Sequence, residues 1–107
     1  MERPNAWLTY SDADMQDLET VAKKYRHFLN VGKTERECIT QIVKEAEEAG
    51  YVSLEEKVKN GEALKAGDKV YQVGMQKIIA LYHIGEEDLA QGMNILCAHI
   101  DSPRLDI

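Results

Sequence analysis

Cysteine is scarce in this chain: Cys38 and Cys97 are the only two among 107 residues. They stand far apart, each inside an apolar pattern, which argues against a disulfide framework or a thiolate metal site and predicts two buried, reduced thiols. Positive charge is also short. Thirteen Lys and Arg against nineteen Asp and Glu leave a formal charge of -6, and no basic cluster appears, so nucleic acid and anionic membrane are excluded as expected partners, since both need grouped Lys and Arg. No apolar run approaches the roughly 20 residues of a membrane span, and no apolar leader opens the chain. A soluble, cytoplasmic protein is the expectation. Gly-rich phosphate loops, a Gly-x-Ser-x-Gly elbow and Cys-x-x-Cys pairs are missing too, which removes nucleotide binding, α/β-hydrolase chemistry and zinc-ribbon or thiol-redox sites.

What is present fits a single domain or a piece of one, long enough to bury a core. Ser11 with Asp14 resembles a capping box, and Met15, Leu18, Ala22, Tyr25 and Leu29 follow at helical spacing, predicting a helix that ends near residues 30–32. Thr34 with Glu37 forms a second box, and Cys38, Ile39, Ile42, Val43 and Ala46 mark a second helix that Gly50 can terminate. Its other face, with Glu35, Lys44, Glu45, Glu47 and Glu48, reads as a solvated surface. Residues 51–68 are polar and punctuated by Asn60-Gly61 and Gly67-Asp68, which predicts a mobile connection holding at most a short helical turn. Residues 69–73 and 77–84 read as a hairpin across Gly74-Met75-Gln76, with glycine placed for positive φ. Ile78-Ile79-Ala80-Leu81 does not alternate, so that strand is expected to be covered on both faces. Residues 85–90 form a connector with room for one helical turn.

The densest chemical signal comes last. Asn94 to Ile100 is an apolar run bounded by Gln91-Gly92 and Ser102-Pro103, which predicts a buried third strand. Its carboxyl end carries His99 and Asp101, and ligands bind at that edge of open α/β sheets. On a strand, residues i and i+2 share a face. Asp101 can therefore sit beside the His99 imidazole and fix its orientation as a metal ligand. A lone histidine at a strand end is more often structural, and the carboxylate neighbour is what favours the ligand reading here. His27 and His83 lack such a neighbour and read as structural; Arg104 and Asp106 receive no role.

The string Ala98-His99-Ile100-Asp101-Ser102-Pro103-Arg104-Leu105-Asp106 resembles the first metal-ligand motif of the aspartyl aminopeptidase family, cocatalytic zinc aminopeptidases of the vacuolar aminopeptidase type. Upstream, Lys33 to Cys38 after Tyr25 to Leu29 is similar to the family's second-helix entry. Lys69-Val70-Tyr71 with Ile78 to Leu81 resembles its first hairpin. The resemblance implies an α/β fold (α+β if isolated), in which two helices, a hairpin and a third strand in residues 1–107 form the amino-terminal part of a three-layer α/β/α catalytic domain. It further implies a metalloaminopeptidase acting on the amino end of peptides with two zinc ions per site, His99 as one metal ligand and Asp101 as its orienting catalytic partner. The bridging carboxylate, the general-base glutamate and the other ligands then belong to later segments, so the 107-residue chain alone is expected to be inactive. Homo-oligomeric assembly is also implied.

The competing reading is a non-catalytic α+β module for assembly or interaction. The reading frame beyond Ile107 separates the two: further His, Asp and Glu ligands support the enzyme, a stop codon the module.

Overall fold

In the computed structural model the described residues are 3–101. They fall into two compact units, divided after Val31.

The first unit is one long helix with a short lead-in. Ala6–Leu8 makes a single 3-10 turn, in which the Asn5 side chain accepts from the Trp7 amide at 3.1 Å. Trp7 and Tyr10 meet edge to face, centroids 5.7 Å apart, the arrangement aromatic quadrupoles favour. Helix α1 runs over Asp12–Val31. Ser11 and Asp14 close its amino end reciprocally: the Ser11 amide donates to the Asp14 carboxylate at 2.9 Å, and the Asp14 amide donates to the Ser11 hydroxyl at 3.2 Å. The donated Ser11 bonds, the backbone one foremost, hold the Asp14 carboxyl below its ordinary value. The expected box and helix are therefore both present, with Asp filling the usual Glu position.

The second unit is built around a mixed sheet. Helix α2 covers Glu35–Glu48, capped by Thr34 and Glu37 in a complete capping box. Past its carboxyl end Gly50 adopts φ +89, the Gly50 amide donates to the Glu47 carbonyl at 3.0 Å and the Tyr51 amide to Ala46 at 2.9 Å. That bond pair is a Schellman stop, and the left-handed residue it requires explains glycine at position 50. The chain then enters β1 (Val52–Ser53) and α3 (Leu54–Lys59), followed by β2 (Lys69–Gly74) and β3 (Ile78–His83). The strand order is β1-β2-β3, with Val52 beside Val70 in a parallel pair and Lys69 to Gly74 antiparallel to His83 to Ile78. Val70, on the central strand, is fully buried, and α2 contributes buried Cys38, Ile39 and Ala46.

Three expectations need correction. The segment 51–68 is more than a mobile connection: it contains β1 and the six-residue α3, and it is tied down at several points. The Lys57 ammonium lies 3.3 Å from the Glu62 carboxylate and 3.4 Å from that of Asp68. The Gly67 amide donates to the Ile84 carbonyl at 2.8 Å and Ile84 returns a bond to Asp68 at 2.9 Å, closing the base of the hairpin. The hairpin itself is present, but positive φ falls on Met75 (49) and Gln76 (55) rather than on Gly74. With the Lys77 amide donating to the Gly74 carbonyl at 3.0 Å, this is the geometry of a type I′ turn, whose two central residues both need positive φ to match strand twist. Gly74 serves another purpose, since a Cβ there would lie 2.7 Å from Ile78 Cγ2. Lastly, β3 is not covered on both faces among the described residues: Ile78, Leu81 and Tyr82 are exposed, on the outer strand of the sheet.

Two predictions follow from these contacts. Thr34→Ala removes one side of the α2 box and should cost about 1 kcal/mol, read as a lowered urea midpoint at unchanged slope. The loop tether should be sensitive to acid. A hydrogen bond from the Lys65 amide is the main cause holding the Asp68 carboxyl below 3.8, helped by Lys57. A carboxyl depressed in the folded state contributes stability that is present above its unfolded value and lost as pH falls through the folded one. Asp68→Asn should therefore flatten the acid limb of a stability profile, and an unchanged limb would show that the tether contributes nothing.

Candidate metal centre

Residues 93–101 follow a 3-10 turn at Leu89–Gln91 whose cap is the Asp88 side chain, accepting from the Ala90 amide at 3.2 Å. The connector therefore contains the one turn expected of it. Beyond Gly92, at φ +119, the sequence predicts the third strand over Asn94–Ile100. No strand pairing is present there, and the sheet's third strand is β1 instead. Ile95 and Leu96 are exposed, and so is Cys97, which corrects the expectation that both thiols are buried; Cys38 alone is, and both cysteines are free. The physical reason is that a strand exists only through a ladder, and no partner for this apolar run lies among the described residues.

His99 and Asp101 nevertheless come together as the i, i+2 spacing suggests. His99 Nδ1 lies 2.6 Å from the Asp101 backbone carbonyl oxygen and 3.3 Å from the carboxylate Oδ1. Both side chains are largely open to solvent, at 76% and 71% exposure. A carbonyl can only accept, so the short contact places a proton on Nδ1, and a neutral ring held this way carries its lone pair on Nε2. That is the tautomer a metal-binding imidazole presents when its other nitrogen is held by an oxygen. The carbonyl contact is the part sequence reasoning missed, since side-chain types carry no information about which main-chain oxygen a ring will meet.

The donor set stops there. No group of three or more His, Cys, Asp or Glu side chains able to hold a metal occurs among the described residues. His27 and His83 are exposed on α1 and β3 respectively. Ser102, Pro103, Arg104 and Asp106, which complete the motif, lie outside the described residues. The geometry thus fits one arm of a metal site, an oriented imidazole, rather than a full shell, which for zinc takes about four ligands.

Comparison with known proteins bears on what that arm belongs to. The sequence model of the family described as "Aminopeptidase I zinc metalloprotease (M18)" matches residues 28–107. A protein of Clostridium acetobutylicum named "Probable M18 family aminopeptidase 1" is 43% identical over 106 residues, spanning 99% of this chain and 23% of its own length. Its namesake in Thermotoga maritima is 37% identical over 110 residues, or 22% of its length. Among solved structures, aminopeptidase I from Borrelia burgdorferi B31 superposes with a TM-score of 0.83 at 30% identity, over 94% of this chain and 24% of that one. An M18-family aminopeptidase from Thermotoga maritima superposes with a TM-score of 0.80 at 35% identity. The chain spans under a quarter of the length of these relatives. With an α/β arrangement of three helices and a three-stranded mixed sheet that these structures share, and a match over most of its length, the chain belongs to the M18 family of aminopeptidase I zinc metalloproteases.

Proposed function

We propose that this chain is the amino-terminal part of a zinc-dependent aminopeptidase, with His99 as one metal ligand and Asp101 as the residue that orients it. The observation that carries the reading is the His99 Nδ1 contact at 2.6 Å with the Asp101 carbonyl, backed at 3.3 Å by the carboxylate, in a chain of a zinc metalloprotease family. In its active site a pair of zinc ions, when bound, supplies Lewis-acid polarisation of the scissile carbonyl and activation of water. This chain's own share is limited. His99 offers the Nε2 lone pair; the Asp101 carbonyl fixes which nitrogen bears the proton; the Asp101 carboxylate adds negative charge beside a ring that donates density to a cation. The remaining ligands and the general base come, in this reading, from outside the 107 residues, and the substrate is the amino end of a peptide. Cytoplasmic location and homo-oligomeric assembly belong to the same proposal; the free Cys38 and Cys97 suit a reducing compartment.

In the longer protein, His99→Ala should abolish peptide hydrolysis and lower zinc content. Asp101→Asn keeps the main-chain carbonyl, so its loss should sit toward the lower end of the roughly 10–100-fold expected for an orienting partner. Metal analysis beside peptide hydrolysis checks both, and wild-type zinc and activity in His99→Ala would sink the assignment.

The chain by itself should neither hydrolyse peptides nor hold zinc tightly. A complete structural site yields roughly 10–16 kcal/mol from about four ligands, so a single imidazole supplies about 3–4 kcal/mol and a dissociation constant near the millimolar range. Calorimetric titration decides this: a submicromolar one-to-one site would mean that the chain carries a complete centre, contrary to the proposal.

A further inference from the structure

Gly92 joins the connector to the segment that carries His99, and its backbone takes a course that only glycine follows. The chain arrives through a closed turn. The Asp88 side chain caps Leu89–Gln91, the Gln91 amide donates to the Asp88 carbonyl at 2.9 Å, and the Gly92 amide donates to the Leu89 carbonyl at 3.0 Å. It leaves at φ +119 and ψ 174, a nearly extended backbone of the sign opposite to a β-strand, and residues with a Cβ are essentially shut out of that region.

A Cβ built on Gly92 meets nothing within 4 Å. Glycine is therefore needed for its torsions and not to make room, unlike Gly74. Closing the turn does not explain it either. Gly50, Gly61 and Gly67 lie at φ 89, 69 and 85, nearer the left-handed region that asparagine also adopts at the end of a helix. Gly92 is farther out, and what its ψ of 174 adds is the direction in which the chain departs.

That direction matters because of what hangs from it. Residues 93–101 have no strand pairing among the described residues, so the turn is where the run joins the ordered chain. Seven residues on from Gly92 stands His99. At roughly 3.3 Å per residue the run reaches up to about 23 Å, so a change of about 10° at its root carries the far end about 4 Å. A ligand constellation tolerates about 0.5 Å. The nearest region open to an L-residue at position 92, the left-handed one, is about 60° away in φ and farther in ψ.

We propose that Gly92 is a positioning residue for the metal ligand: its mirror-sign extended backbone sets the course on which residues 93–101 deliver His99 to the site. The inference rests on the reading of His99 as a zinc ligand, and it gives Gly92 no contact with metal or substrate.

Zinc affinity by chelator competition, measured in the longer protein beside its unfolding midpoint, tests it. Gly92→Ala should weaken the zinc that depends on His99 about tenfold or more, the scale of losing an orienting partner. Gly92→Asn can still cap a turn and tolerates positive φ, so it should fold even where Gly92→Ala does not, and it should also lose affinity. Gly50→Ala is the matched control, since it too forces a Cβ to positive φ in open space; it should lower the midpoint and keep zinc affinity. D-alanine at position 92, introduced by ligation at Cys97, finds φ +119 ordinary because its Cβ is on the other side. It should restore wild-type affinity. Wild-type affinity in Gly92→Asn overturns the proposal, as does a loss that D-alanine fails to restore or that Gly50→Ala reproduces. His99→Ala separates the two readings: zinc retained there defeats the ligand assignment, whereas zinc lost there and kept in both Gly92 variants defeats only the role of Gly92.

Discussion

Strand β2 is hydrogen-bonded on both edges, and the second unit is organised by that double commitment. Its backbone groups are shared between β1 and β3, so neither edge is left to solvent where the three strands overlap. Val70 sits where all three strands overlap and is fully buried, and α2 packs against the same strand. Polar contacts reinforce the same strand from outside. The Tyr71 hydroxyl donates to Glu47 at 2.8 Å and the Lys69 ammonium to the Ala49 carbonyl at 3.3 Å, each tying β2 to α2. The Glu47 bond, with some burial, raises the Tyr71 hydroxyl above its ordinary value. Lys69 also satisfies a carbonyl that the end of a helix would otherwise leave without a donor.

Elements whose signals are local were readable in advance. Thr34-x-x-Glu37 and Ser11-x-x-Asp14 declare helix starts within four residues, and Gly50 declares a stop, because capping is chemistry between near neighbours. The hairpin was visible for the same reason, though the glycine in it misled: Gly74 is needed for close approach of Ile78, and the positive φ is borne by Met75 and Gln76. Elements defined by distant partners were not readable. The parallel strand Val52–Ser53 has two residues, too few for any periodicity, and exists only because β2 lies beside it. Asn94 to Ile100 fails in the opposite direction, having the composition of a strand without a ladder to join among the described residues.

The candidate site shows the same division. The pairing of His99 with Asp101 was legible from an interval of two, and it is made even though the strand that motivated it is absent. The family resemblance, which rested on the residues around that pair, agrees with the relatives found across nearly the whole chain. The rest of a metal shell could not be read here, because such a shell is assembled from segments remote in sequence, and interval arguments reach only a few residues.

One detail of the His99 contact changes how its precision arises. The nearest atom to the ring is part of the main chain, so the orientation of the imidazole is written into the backbone path through Ile100 rather than into the identity of residue 101. Whatever fixes that path, by pairing the 94–100 run or packing against it, aims the Nε2 lone pair at the same time. Aim then becomes a property delivered by folding, acquired together with tertiary structure, and the carboxylate is left to tune charge on a ring that is already pointed.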